Sequence, residues 1–192
     1  PIQWGKMERY LPHALVCMNW IKQENMTFPQ AANLPFYAGH GLKERAQYAE
    51  AEPLFQHALS IWQQVSETDN PFVAPCLDGL AQVYKKQGRY KQAEVLYMQA
   101  LSICEPLFGN SHPFTATLIN DIAALYESMG KEKQAEQFYQ HSLTIRQLLL
   151  GDDHFDTGQS RKSRADGDDG QGRYAEAEPL HQDALAATEQ SV

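Results

Sequence analysis

The sequence has few cysteines, no long apolar run and no excess of basic residues, and each absence excludes a class of protein. Its three cysteines form no CxxC pair, so we expect neither a disulfide framework nor a zinc site, and a reducing cytoplasm fits best. No apolar run reaches the length that crosses a bilayer. The formal charge is −8. Because nucleic acids and anionic membranes attract basic surfaces, we expect neither as a partner, and instead expect a neutral or basic protein partner.

Motifs for catalysis, metal binding and cofactor binding are also absent. The sequence contains no GxxxxGK[ST], GxSxG or HExxH. The acidic run 166–170 has Ala177 at the twelfth position, where a calcium loop needs a glutamate. His112 and His154 belong to equivalent loops and are interpreted as loop packing rather than as a metal pair. We therefore expect no enzymatic activity, no catalytic residue, no metal site and no cofactor.

What the chain does have is a repeated segment. Residues 48–55 (YAEAEPLF) return as 90–97 (YKQAEVLY), 132–139 (EKQAEQFY) and 174–181 (YAEAEPLH), so the starts are 42 residues apart. Self-similarity at a fixed period of this size is typical of stacked helical repeats. Such arrays offer binding surface rather than a buried chemical pocket.

Each period contains two amphipathic helices. In the second period, apolar residues recur at i, i+3, i+4 and i+7 from Leu77, and Gly88 ends that helix. A second apolar stripe begins at Ala93. Asn70 and His112 each precede a proline, as residues that cap a helix do. We predict an all-α, right-handed α-solenoid of antiparallel helix hairpins. The repeated glutamates are expected to complement the helix dipoles and to aid solubility; they are Glu52, Glu94, Glu136 and Glu178.

The repeat is regular over only part of the chain. Residues 29–150 are predicted to form three hairpins, and residues 1–28 an N-terminal capping helix region. Residues 157–172 include four glycines and no large apolar residue, so we expect 151–173 to be a mobile Gly/Asp-rich linker. Residues 174–192 are predicted to be the orphan second helix of a degenerate fourth repeat.

The spacing of Leu80, Ala81, Tyr84, Ala93 and Tyr97 resembles that of the tetratricopeptide repeat, two helices with small and aromatic residues at fixed offsets. The usual unit of that family is about 34 residues. The longer period here, with the HPFT junction at 112–115, resembles the kinesin-light-chain type of repeat.

That resemblance implies a concave groove lined by the first helices of successive hairpins, which would bind a peptide or protein segment. Asn120 matches an asparagine that in this family often holds the backbone of an extended peptide. The same residues also fit an ordinary solvated helix surface. The candidate groove residues are Phe36, His40, Lys43, Asp78, Gln82, Lys85, Asn120, Asp121 and Glu127.

Two further functions stay open from the sequence. Residues 10–21 resemble a segment that precedes the C-terminal sensor arrays of bacterial STAND/NB-ARC-type signalling NTPases. Because the first residue is Pro1 rather than Met, we expect the chain to be part of a longer protein. Self-association through an exposed C-terminal end is the other alternative.

Overall fold

The computed structural model describes residues 13–14, 16–21, 23–24, 26, 28–65, 70–109, 111–170 and 172–189, apart from the side chains of 29, 188 and 189. Residues 16–21 are helical, and no strand occurs among the described residues. The expected all-α fold is confirmed. The helices that follow are α1 (Pro29–Glu44), α2 (Tyr48–Val65), α3 (Val73–Lys86), α4 (Tyr90–Phe108), α5 (Pro113–Ser128), α6 (Glu132–Leu150), α7 (Phe155–Gly170) and α8 (Tyr174–Glu189).

These helices are joined as four hairpins, α1/α2, α3/α4, α5/α6 and α7/α8, numbered 1 to 4 below. The chain forms two compact units, residues 1–100 and 101–192. In the first unit, α1 packs on α2 and α2 on α3; in the second, α5 packs on α6, α6 on α7, and α7 on α8. Within each unit, helices that follow one another in the chain therefore pack together, as the repeat predicts.

The same side-chain contact precedes three of the first helices, and at α5 it is made by the N-cap residue His112. A side-chain atom accepts a hydrogen bond from the backbone N–H two residues ahead: Asn70 Oδ1 at 2.9 Å, His112 Nδ1 at 3.1 Å and His154 Nδ1 at 3.1 Å. These positions are one period apart. First helices end before a glycine with positive φ, at Gly88 (76°) and Gly130 (70°), which is the left-handed conformation that glycine adopts without strain.

The core of the first unit centres on Phe55, which is fully buried. Its ring packs edge-on against those of Phe36 and His40. A second cluster contains Trp62, and Ile21 of the upstream helical segment packs against it. The capping role of residues 1–28 stays a prediction, because residues 1–12 lie outside the described part of the chain.

The segment predicted as a linker is helical. Helix α7 covers 155–170 and packs on both α6 and α8, so the last helix has a hairpin partner and is not an orphan. Small residues permit the close packing: a Cβ on Gly158 would lie 3.0 Å from the Cβ of Ala187. Thr157 also donates to the Gly151 carbonyl at 2.8 Å. Hydrogen bonds and close helix approach replace the large apolar side chains that the segment lacks.

The three cysteines differ in exposure: Cys17 is exposed, while Cys76 and Cys104 are buried. Burial raises the pKa of the Cys76 thiol to about 12, which keeps it protonated. Among the described helices, none is both long and apolar enough to cross a membrane.

Candidate functional site

The candidate groove residues of the first unit lie on α1 and α3, and three of them form a connected polar row. Lys43 Nζ donates to Gln82 Oε1 at 2.6 Å, and Gln82 Nε2 donates to the two carboxylate oxygens of Asp78 at 3.1 and 3.2 Å. Asp78 is buried, and the Lys43 side chain is 13% exposed. The row therefore joins two successive first helices through groups able to bond a peptide backbone.

His40 lies one helical turn before Lys43 on α1. Its ring packs edge-on against Phe36 at 4.7 Å and Phe55 at 5.1 Å between centroids. Burial, and then the nearby charge of Lys43, lower the pKa of His40 to about 4. The imidazole is therefore neutral at neutral pH and adds an apolar edge beside the polar row.

The candidate residues of the second unit lie on α5. Asn120 and Asp121 are half-buried. Glu127 is exposed and accepts a hydrogen bond from the Tyr139 hydroxyl at 2.8 Å. Burial and this hydrogen bond raise the pKa of Tyr139 well above its usual value. Asn120 Oδ1 is buried and has no hydrogen-bond partner among the described residues.

The glutamate at the start of the second helix in hairpin 1 does more than complement a dipole. Arg89, in the loop that closes α3, donates from one nitrogen to both oxygens of Glu52, at 2.9 and 2.8 Å. Burial acts to raise the pKa of Glu52, but hydrogen bonds from Arg89 and Gln87 outweigh it and lower the pKa. The Arg89 guanidinium also lies 3.8 Å from the ring centroid of Tyr84. We call this arginine–glutamate contact between neighbouring hairpins a joint.

The same joint recurs two periods later, in the second unit. Arg173 donates to Glu136 Oε2 at 3.1 Å. At the position of Tyr84, however, stands Asp168, which is 2% exposed and accepts from Arg173 Nε at 3.1 Å. The site residues predicted from the sequence do not include these arginines. Alignment of the chain on its own period would have shown them, since each follows the glycine that ends a first helix.

A buried arginine connects α6 to α7. Arg146 donates to the carbonyl of Asp156 at 2.9 Å and to Ser160 Oγ at 2.8 Å, and on its own hairpin to Thr117 Oγ1 at 3.0 Å. Burial lowers the pKa of Arg146, against the opposing charges of Asp156 and Asp121. All three contacts have good hydrogen-bond lengths, so the buried charge is compensated and fixes how α7 lies on hairpin 3.

The arrangement suits binding rather than coordination chemistry. Over the part of the chain that the structure describes, no three His, Cys, Asp or Glu side chains cluster closely enough to hold a metal ion. His112 and His154 cap helices, as loop packing requires.

Helix hairpins that recur at a fixed period and are joined by repeated side-chain contacts define a helical-repeat protein. The tetratricopeptide repeat family matches residues 31–105, 86–148 and 114–190, which together span most of the chain. The chain belongs to this family, whose members typically act as scaffolds for protein interactions rather than as enzymes.

Solved structures of low sequence identity share the fold. BtubC (BKLC) from P. vanneervenii aligns with a TM-score of 0.75 at 20% identity, over 98% of this chain and 73% of that one. A putative kinesin light chain from Podosopora anserina, with nearly identical TPR-like repeats, aligns with a TM-score of 0.72 at 18% identity, over 98% and 94%. The apo form of RapI aligns with a TM-score of 0.77 at 15% identity, over 98% and 69%. No curated protein matches the sequence. The expected likeness to kinesin-light-chain repeats is confirmed.

Proposed function

We propose that this protein binds an extended segment of another protein along the face formed by its first helices, and that it does so without catalysis. The polar row of Lys43, Gln82 and Asp78 is the observation that carries the proposal. It crosses from one first helix to the next, as a peptide lying in a groove of this kind would.

The chemistry of the row suits a peptide backbone. A glutamine amide both donates and accepts, and a backbone amide group can replace either of its contacts with little loss. Lys43 then supplies a charge-assisted donor for a carbonyl. The edges of Phe36 and His40, one turn away, offer apolar contact for a side chain of the bound segment.

In the second unit, Asn120 supports the same proposal. A buried carbonyl oxygen without a partner costs about 1–3 kcal/mol. Buried polar groups without a partner are rare in folded proteins, and a functional role is one explanation for them. The resemblance stated above implies that this role is to bind the peptide backbone, with Asp121 and Glu127 beside it.

A peptide-display selection tests this function. A library of unstructured peptides of about 15 residues, presented to the full chain, should yield binders. Gln82→Ala should weaken the binders that use the first unit about three- to tenfold, since one or two hydrogen bonds are lost. Asn120→Ala should do the same for those that use the second unit. Fluorescence anisotropy with the selected peptides gives the dissociation constants.

Gln63→Ala is the matched control, because Gln63 is an exposed glutamine on the second helix α2. Binders that lose as much affinity with Gln63→Ala as with Gln82→Ala would show that the first-helix face is not the site. A selection that enriches no peptide would contradict the function itself.

The remaining expectations stay predictions. The cytoplasmic location is one of them. The sensor-array hypothesis is another, and residues 10–12 and 15, part of the segment that suggested it, lie outside the described residues.

A further inference from the structure

Two arginines of hairpin 4 contact hairpin 3 beside its acidic face, Glu127 and Glu136: Arg173 pairs with Glu136, and Arg164 donates to the amide oxygen of Gln140. A small cavity of about 10 Å3 separates Glu127, Glu136 and Tyr139 of hairpin 3 from Arg164 and Arg173 of hairpin 4. Arg173 forms an ion pair with Glu136 at 3.1 Å.

The outer side of hairpin 4 repeats that acidic face. One period after Glu127, Glu136 and Tyr139 stand Asp169, Glu178 and His181. The contact between Glu127 and the Tyr139 hydroxyl, 2.8 Å, returns as one between Asp169 Oδ2 and His181 Nε2, 2.9 Å. The acidic half of the joint is therefore present on hairpin 4.

The arginine half of this joint is not in place. Glu178 makes no ion pair with any described residue, whereas Glu136 and Glu52 each bind an arginine. Leu185 is 60% exposed, while Leu143, one period earlier, is 4% exposed. Beside Leu185 is a depression of about 340 Å3, which is also lined by His181 and Lys162. We call the surface of Asp169, Glu178, His181 and Leu185 the terminal face.

We propose that the terminal face docks a helix hairpin of the same repeat type that carries arginines at the positions of Arg164 and Arg173. Charge and hydrogen-bond complementarity select this occupant. Glu178 stands one period after Glu136, which receives Arg173, and Gln182 stands one period after Gln140, which accepts from Arg164. A second copy of this chain does not fit, since its first hairpin has Ala38 and Gln47 at the arginine positions. Three of the four residues of this surface lie on the second helix α8, whereas Asp169 lies on the first helix α7, one period after Glu127, so the terminal face adjoins the first-helix face of the proposed function.

A peptide of residues 151–192 is the probe, because it carries the two arginines. Labelled with fluorescein and titrated with the full chain, it should bind. Glu178→Gln in the chain, or Arg173→Gln in the peptide, should each raise the dissociation constant about three- to tenfold. Asp183→Asn removes a charge from a different face of α8 and should leave the affinity unchanged.

If the peptide instead displaced the chain's own hairpin 4 and bound to hairpin 3, Glu136→Gln would alter the affinity and Glu178→Gln would not. This outcome overturns the proposal. So does binding that Asp183→Asn weakens as much as Glu178→Gln. A dimer of the full chain in sedimentation velocity that Glu178→Gln dissociates would show a second copy on the face instead.

If circular dichroism shows that the free peptide is unfolded, a chain lengthened by a second copy of residues 151–192 tests the proposal instead. Residues 151–192 span one period, so a second copy placed directly after Val192 continues the array in phase. The extended chain should gain helical signal and unfold at a higher temperature. Glu178→Gln should lower the melting temperature of the extended chain and leave that of the original chain unchanged. An added segment that stays unfolded, or equal effects in both chains, would overturn the proposal.

Discussion

Arg89 and Arg173 occupy equivalent positions two periods apart but face different neighbours. Arg89 lies over the ring of Tyr84 and pairs with Glu52, whereas Arg173 pairs with the buried carboxylate of Asp168. A neutral ring tolerates the loss of its cation, but a buried carboxylate does not. The consequences of removing the two arginines should therefore differ.

We expect Arg173→Gln to lower the free energy of unfolding by about 2–3 kcal/mol, because Asp168 loses its closest counter-charge while it remains buried. Arg89→Gln should cost clearly less. Urea denaturation followed by circular dichroism measures both.

The double variant Asp168→Asn with Arg173→Gln is the internal control. Once Asp168 is replaced by Asn, no buried charge remains to be paired. Arg173→Gln should therefore lower the free energy of unfolding by less in the Asp168→Asn chain than it does in the original chain. Equal costs for Arg89→Gln and Arg173→Gln would show that Asp168 does not depend on its arginine.

His40 should make stability depend on pH. Its pKa of about 4 in the folded chain lies below the ordinary value of 6.5, so the unfolded chain takes up this proton first. Stability is therefore complete above about pH 6.5 and falls as the pH drops towards about 4. The ring resonance of His40 should titrate near pH 4 by NMR. Replacement by Asn should reduce the loss of unfolding free energy between pH 7 and 4.5; an identical loss would contradict this assignment.

At the scale of the helices, Phe55 lies where α1, α2 and α3 meet, and two glycines make room for it. A Cβ on Gly79 would lie 2.4 Å from Phe55 Cε1, and one on Gly39 would lie 3.2 Å from Cε2. Glycine weakens a helix by its intrinsic propensity, but the close approach of the backbone to the ring explains why Gly39 stands there.

Gly79→Ala should therefore destabilise the protein by about 1–3 kcal/mol, because the buried ring cannot move aside without new clashes. Phe55→Leu in the same chain should recover part of the loss, which gives a coupling of about 1 kcal/mol or more in a double-mutant cycle. Thermal or urea denaturation measures each variant.

Gly170→Ala is the comparison, since a Cβ there has no atom within 4 Å. This change should be neutral or slightly stabilising. If Gly79→Ala were equally harmless, the ring of Phe55 would not be confined as the structure indicates.

The hairpins were predictable where apolar residues recur at helical spacing, as they do around Leu80 and Tyr97. Helix α7 was not, because it is held by the contacts of Thr157 and Arg161 and by the close approach at Gly158. Such contacts depend on which groups meet in space, and a count of large apolar residues does not detect them. The candidate groove residues follow from their positions within the repeat. The hydrogen bond from Lys43 to Gln82, in contrast, depends on how α1 packs beside α3, which the repeat pattern does not specify.

At the scale of the whole molecule, the charge of −8 favours basic partners. Peptides selected by the chain should be enriched in Lys and Arg relative to the starting library. Their affinity should fall as NaCl is raised from 50 to 300 mM, because salt screens the attraction between the peptide and the exposed carboxylates. Sequencing of the enriched pool and anisotropy titrations at several salt concentrations measure the two effects. Acidic binders with salt-independent affinity would contradict this.

The side chains before the first helices differ in shape. Asn70 and His112 each accept a backbone N–H, but the ring of His112 also stacks on that of Phe108 at 4.7 Å between centroids. The histidine therefore ties the end of α4 to the start of α5. Asparagine in its place would keep the hydrogen bond but release the two helix ends from one another.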